Sequence, residues 1–388
     1  MTTRDRLVEA AITATGLDDF GSDSWQEGLD VLLTSLDATA DLNEIGVGVA
    51  EGGVVTDLSN RLRIEGWRRD HPEVATQRVD RPIIIVGQPR TGTTILFDLM
   101  AQDRTNRAPL SWEIERPVPA PRTATYGTDP RIAEAQAGFD LVESIIPGFT
   151  SFHELGAQLA QEDVRIFTSD FRSMQFSLQF EVPEYNRWLL HEADMAPAYR
   201  WHRRFLQHLQ SEHHSERWLL KSPAHLWSLP ALLAEYPDAI VIQNHRDPLK
   251  VIASISALGA SLREMTTDNF DVRTLAAQYG DDIMVGLDRA LQARADRLFA
   301  RARSWMCATR TSATTRSRRL PTSTTRSAWS SRSIPRRGCD RSLPRIPATR
   351  PAASSATRSP TPASTRTSCA SHARPYQEFF GVETEQLS

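Results

Sequence analysis

Lysine is almost missing from this chain. Two lysines, Lys221 and Lys250, stand among 45 basic residues in 388 positions. A GC-rich coding sequence explains the bias toward arginine, so any lysine that persists becomes a candidate for function. Cysteine is scarce as well. Cys307, Cys339 and Cys369 show no metal-ligand spacing, which argues against structural zinc or a disulfide framework. No apolar run approaches the length that crosses a bilayer. The opening MTTRDRLVEAAITATG carries charges of both signs and no apolar stretch, so it does not read as a secretory signal. Net charge is −3, which gives no global pull toward nucleic acid or membrane. The expectation is a cytoplasmic protein without a metal.

The length suffices for one large α/β domain with a helical appendage, or for two domains. Residues 1–78 read as a helical region, because DRLVEAAI, SWQEGLDVLLTSLDA and SNRLRIEGWRRDHPE place apolar residues at three- and four-residue steps. The period then changes. Pro82-Ile83-Ile84-Ile85-Val86 is a short β-branched run suited to a strand buried on both faces. A Gly/Pro turn and the helical TTILFDLMAQD follow. RWLLKSP before HLWSLPALLAEY, and AIVIQNHRD before PLKVIASISAL, repeat the strand, turn, helix order. That order predicts an α/β fold with a P-loop-like open parallel sheet flanked by helices, spanning 79–300. Helical stretches between 130 and 215 would form an insertion covering the strand ends.

In such sheets ligands sit beyond the carboxyl ends of the strands. The first end reads GQPRTGTT, Gly87 to Thr94, with glycines spaced as in a P-loop. A backbone nest there turns N–H groups toward an anion. Thr93 stands where the P-loop lysine belongs, while Arg90 offers a forked, permanent cation. Glycine and threonine also occur in such turns for geometry alone; Arg90, Thr93 and Thr94 at a helix start favour the anion. The third strand end supplies Arg246 with Ser254 eight residues on, and the second supplies Lys221. Arg246-Asp247-Pro248 can equally be a plain helix cap.

PRTGTT, LKSPAH and HRDPLKVIASIS, in this order, resemble the sulfotransferases that use 3′-phosphoadenosine-5′-phosphosulfate (PAPS), in the bacterial branch related to tyrosylprotein sulfotransferases. The resemblance covers roughly residues 80–260. It implies that Arg90, Thr91, Gly92, Thr93 and Thr94 hold the 5′-phosphosulfate, and that Arg246 and Ser254 hold the 3′-phosphate. It also implies that Lys221 touches the transferring sulfuryl group. The base of that branch falls where this chain has SWEIERP, which makes Glu113 the candidate and Glu115 the alternative. PAPS would be the co-substrate, with a small-molecule or glycolipid acceptor, peripheral access to lipid acceptors and no nucleic acid. His153 and His225 are further candidates, each more readily a structural histidine.

Two other readings stay open. A P-loop kinase acting on a small metabolite needs a lysine after the second glycine and an acidic magnesium ligand. A nucleic-acid-binding protein would use an Arg-rich arm. That arm lies in residues 301–372, a segment unlike the rest. Between 301 and 370 stand fifteen arginines and a single acid, Asp340, with no Val or Phe. As written it cannot bury enough apolar area to fold. Ordinary character resumes over 373–388, where RPYQEFFGVETEQL reads as a helix-like tail. The favoured explanation is a reading-frame slip entering near 305 and leaving near 372. In the neighbouring frame TSATTRS decodes as D-V-R-Y-D-A-L, restoring acidic and apolar classes. The resemblance implies that this part supplies a loop over the adenine and 3′-phosphate, so the sequence as written would lack that closure.

Overall fold

The computed structural model describes residues 3–145, 154–300, 303–308 and 363–385. Three helices open it: α1 (Arg4–Thr15), α2 (Ser24–Thr39) and α3 (Glu44–Asp70). Their ends follow from local chemistry. The Thr3 side chain accepts from the Arg6 N–H to start α1, and Gly16 at φ 69° stops it. Asn43 Oδ1 accepts from the Gly46 N–H at 2.8 Å to start α3. Within α3, the Arg61 side chain is buried and donates to Phe20 O, Ser22 O, Ser169 O and Asp170 Oδ1. Those bonds clamp the N-terminal helices to later parts of the chain.

The sheet follows. Strand β1 (Ile83–Gly87) leads into α4 (Thr93–Ala101), then the two-residue β2 (Asn106–Arg107) and the short α5 (Ser111–Glu115). Helices α6 (Arg131–Ile145), α7 (Met174–Gln179), α8 (Pro183–His191) and α9 (Ala196–Gln210) come next. The chain then alternates again through β3 (Arg217–Lys221), α10 (Leu229–Glu235), β4 (Ile240–His245), α11 (Pro248–Thr266) and α12 (Val272–Ala295). It closes with β5 (Arg303–Ala308) and α13 (Ala363–Phe380).

The strands pair in parallel in the order β2-β3-β1-β4-β5, the expected α/β fold. Every residue of β1 is buried. Ile83 and Ile85 pack with Phe97 of α4 on one face, while Ile84 and Val86 join the larger core of α9, α10, α11 and α12 on the other. Burial on both faces is why the run carries no polar alternation. Residues 1–309 and 359–387 make one compact unit, so the N-terminal helices and the sheet share it. No helix among the described residues is long and apolar enough to cross a membrane.

The structure departs from the sequence reading at both ends of the odd segment. Arg303–Ala308 forms the edge strand beside β4, and α13 starts at Ala363, inside the stretch expected to be disordered. Tyr376 of α13 is buried and bonded at 2.6 Å to His245 Nδ1. Main-chain pairing along β4 and a buried anchor outweigh poor local composition there. The remainder of the segment, 309–362, with the basic arm and the frame slip read into it, lies outside the described residues, as does His153.

Helix α3 offers a matched test of backbone approach. A Cβ on Gly46 would sit 2.0 Å from Thr266 O, whereas one on Gly48 would meet nothing within 4 Å. Gly46→Ala should therefore lower stability by about 1–3 kcal/mol through overpacking. Gly48→Ala should raise it by about 0.5–1 kcal/mol, as alanine is the better helix former. Urea denaturation midpoints of the two variants check both signs.

Candidate active site

The loop after β1 is shaped by a backbone contact. Gly87, at φ 143°, would put a Cβ 2.6 Å from Asn244 O on β4, so a side chain there would force the two strand ends apart. Arg90 and Gly92 both take the left-handed conformation, at φ 63° and 82°. Thr91 is buried and donates its hydroxyl to Gln88 O at 2.7 Å. The result is a tight nest that starts α4 at Thr93, with Thr93 and Thr94 on the cavity wall. The positive end of a nine-residue helix lies there.

Three neighbouring strands deliver the cations. Lys221 closes β3 opposite Ile85 of β1, and Arg246 directly follows β4. Arg246 donates to Arg90 O at 3.0 Å, and Arg90 Nε donates to Ser254 Oγ at 3.1 Å. Arg90, Arg246 and Ser254 thus form one cluster on the cavity wall. Burial, and next the charge of Arg246, pulls the Arg90 guanidinium below its ordinary value, while Glu162 works the other way. Lys221 Nζ donates to Thr94 Oγ1 at 3.4 Å and forms an ion pair with Glu162. Arg246 also holds the Glu385 carboxylate, with Nε–Oε1 at 3.2 Å and Nη2–Oε2 at 3.4 Å.

Glu162 is the site residue that the sequence did not reveal. It lines the cavity, touches Lys221 and lies near enough to Arg90 to raise it. Its position is set by the next residue. Asp163 is wholly buried, and its Oδ2 accepts from His225 Nε2 at 2.9 Å and His202 Nε2 at 3.1 Å. The other ring nitrogens pair with Tyr199 OH at 2.8 Å and Tyr236 OH at 2.7 Å. Burial opposes ionisation of Asp163, yet the charge of His225, and next the bonds from His202 and His225, prevail and hold its carboxyl below the usual range. His225 is therefore a structural histidine.

Glu113 lies apart from the Arg90–Arg246 cluster. Its side chain is fully buried and lies off the cavity wall, as does that of Lys221. Oε1 pairs with Arg107 Nη2 at 2.5 Å, and Oε2 accepts from the Leu110 N–H at 2.8 Å and Tyr126 OH at 3.0 Å. A carboxylate so engaged closes the turn into α5. Glu115 does line the cavity, but it is paired with Arg165 at 3.1 Å. Of the acids weighed or found, Glu162 alone pairs with the lysine of the cation cluster.

Comparison with known proteins agrees with this geometry. Residues 82–302 match the model of the Sulfotransferase family. The structure resembles sulfotransferase STF9 from Mycobacterium avium, at 31% identity and TM-score 0.71, over 79% of each chain. It also resembles sulfotransferase STF1 from Mycobacterium tuberculosis, at 32% identity and TM-score 0.72, over 79% of this chain and 84% of that one. Among curated proteins none matches.

Two carboxyls on the cavity wall are held toward their neutral form. Burial pushes Asp57 up to about 6, against Arg165 and a bond from Thr168. Burial pushes Asp282 up to about 7, against the amide of Asn186, which donates to both its oxygens at 2.9 and 3.1 Å. A carboxyl raised in the folded state keeps its proton after the unfolded chain has released it, so stability falls as pH rises through that interval. Histidines held low by burial, His208 and His245 at about 4, pull the other way over the same range, so the test is a difference between proteins. Asp282→Asn should gain thermal stability on the parent progressively from pH about 4 to about 7; a constant difference would reject the linkage.

Proposed function

Because the chain belongs to the sulfotransferase family, we propose that it moves a sulfuryl group from PAPS to a hydroxyl, or an amine, of an acceptor, with Glu162 as the base. The observation that carries this reading is that Arg90 and Arg246 meet on the wall of one cavity, while Lys221, at the next strand end, is paired with the wall residue Glu162. Arg246 fits the 3′-phosphate: its forked nitrogens already grip an anion, the Glu385 carboxylate. The nest at 90–94 fits the 5′-phosphosulfate, since amides and a helix start face the cavity.

The donor would supply the sulfuryl group, which leaves the 5′-phosphate oxygen with that oxygen keeping the bond pair as the acceptor oxygen bonds to sulfur. The protein's task is to neutralise the charge left behind and to remove a proton. Arg90 and Lys221 are fixed cations in a partly dry cavity, where losing one such donor costs about 10²–10³ in rate. Glu162 takes the acceptor proton, and general-base help of this kind contributes about 10²–10⁴. Its ion pair with Lys221 keeps the carboxylate oriented until the acceptor arrives. Thr93 occupies the place of a P-loop lysine, and Lys221 reaches the same loop from the next strand through Thr94. This exchange favours the sulfuryl reading over a small-metabolite kinase.

The test separates the two glutamates. Binding of adenosine 3′,5′-bisphosphate without added metal is expected, and turnover is read by a screen of hydroxyl acceptors with labelled donor. Glu162→Gln should lower kcat by about 10²–10⁴ without weakening bisphosphate binding. Glu113→Gln should instead lower stability by roughly 3–5 kcal/mol, because it strips the charge partner from buried Arg107. Wild-type turnover in the Glu162 variant would remove that residue from the mechanism.

A further inference from the structure

We propose that the acceptor is an alcohol carried on a long aliphatic chain, and that the arm of the cavity between α3, α6 and α11 holds that chain. This rests on the sulfotransferase reading above and deepens it. The cavity measures about 960 Å³, near the top of the range for small-molecule sites. Its inner end is the cation cluster with Glu162. Its outer part is walled by helices whose apolar faces pack partly on their neighbours and partly line the space.

Helix α6 shows this best. Ala135, Gly138, Phe139, Val142 and Ile145 all line the cavity, at three- and four-residue steps along one helical face. Leu258 and Leu262 of α11 and Val49 of α3 continue the wall. Ile45 and Ile145, at 48% and 47% exposure, stand on it as large uncovered side chains. An apolar face left facing a cavity gains from an apolar occupant.

Charge excludes the competing classes. The acids on these walls are paired or held toward neutrality: Glu115 with Arg165, Glu134 near Arg116 at 3.9 Å, and Asp57 and Asp282 raised by burial. Apart from the cation cluster, the cationic wall groups Arg116 and Arg165 both face acids. A sugar would bring many hydroxyls to walls on which aliphatic side chains outnumber polar ones such as Gln175 and Gln179. A chain with one terminal hydroxyl loses nothing there and brings its reactive oxygen to Glu162.

Two glycines keep the arm open. Gly53 in α3 and Gly138 in α6 line the cavity, and a Cβ built on either meets nothing within 4 Å. Neither is required by packing, and each costs its helix about 1 kcal/mol relative to alanine. Their missing side chains leave room for a ligand.

The arm is tested by dodecan-1-ol binding, measured by calorimetry without nucleotide, on wild type, Gly53→Leu, Gly138→Leu and the outward-facing control Gly48→Leu. Wild type and control should bind dodecan-1-ol, and not ethanol, phenol or glucose. The two cavity variants should bind it at least tenfold more weakly, with adenosine 3′,5′-bisphosphate affinity unchanged. With labelled donor, wild type should then form dodecyl sulfate. Equal alcohol affinity in all four proteins, or none in wild type, would overturn the aliphatic arm even with bisphosphate binding intact. Loss of bisphosphate binding in wild type, with the alcohol pattern as expected, would strike the donor reading and leave the arm standing.

Discussion

A carboxylate that water never reaches organises this site. Asp163 is held in the core by two imidazoles, and each imidazole is held in turn by a tyrosine hydroxyl. Such a network carries high stakes: satisfied it is rigid, and broken it leaves a buried charge. Its members come from α9, from the turn after β3 and from the end of α10, so it ties three elements to one short segment. Gln161, Glu162 and Arg165 of that segment face the cavity. The base candidate is thus held from two sides, by its neighbour's burial and by its own ion pair with Lys221.

The sheet sets the second constraint. Register places Gly87 opposite Asn244 and Ile85 opposite Lys221, so the chain leaves three adjacent strands at nearly one level. Contact between the Gly87 position and the Asn244 carbonyl admits no side chain, which makes the first turn tight enough to aim its amides. Arg90, Arg246 and Ser254 then meet across 156 to 164 residues of sequence. The long separation costs loop-closure entropy, and the core on both faces of β1 offsets it.

Most of the cation cluster was legible because its signals are local. A β-branched run, a glycine pair, an arginine and a helix start lie within a dozen residues, and the next two strand ends repeat the grammar. Glu162 carries no such signal. It sits in QLAQEDVR, far in sequence from Lys221, and nothing periodic distinguishes it from other surface acids. Glu113 misled for the complementary reason. An acid beside tryptophan just after the loop helix suits a base, yet Arg107 on a two-residue strand claims it, and so short a strand leaves no pattern to read. The edge strand β5 and the start of α13 were hidden by composition, since pairing with β4 and the anchor at Tyr376 are long-range effects.

The cations of this site do not wait bare. Lys221 is paired with Glu162, Arg246 with Glu385, and Arg90 is bonded to Ser254. Each interaction holds a long side chain in place, so less rotamer freedom remains to be lost when a nucleotide binds. The same pairing means that binding is an exchange. Under the proposed function a 3′-phosphate would displace Glu385 from the Arg246 fork, and the Glu385 N–H is itself held by Asp247 at 2.5 Å. Affinity for the proposed donor would then be the difference between a phosphate and a carboxylate on one guanidinium. A dianion with three acceptor oxygens wins that comparison on charge. The C-terminal tail, returned to the sheet by α13, would thereby help set how tightly that nucleotide is held.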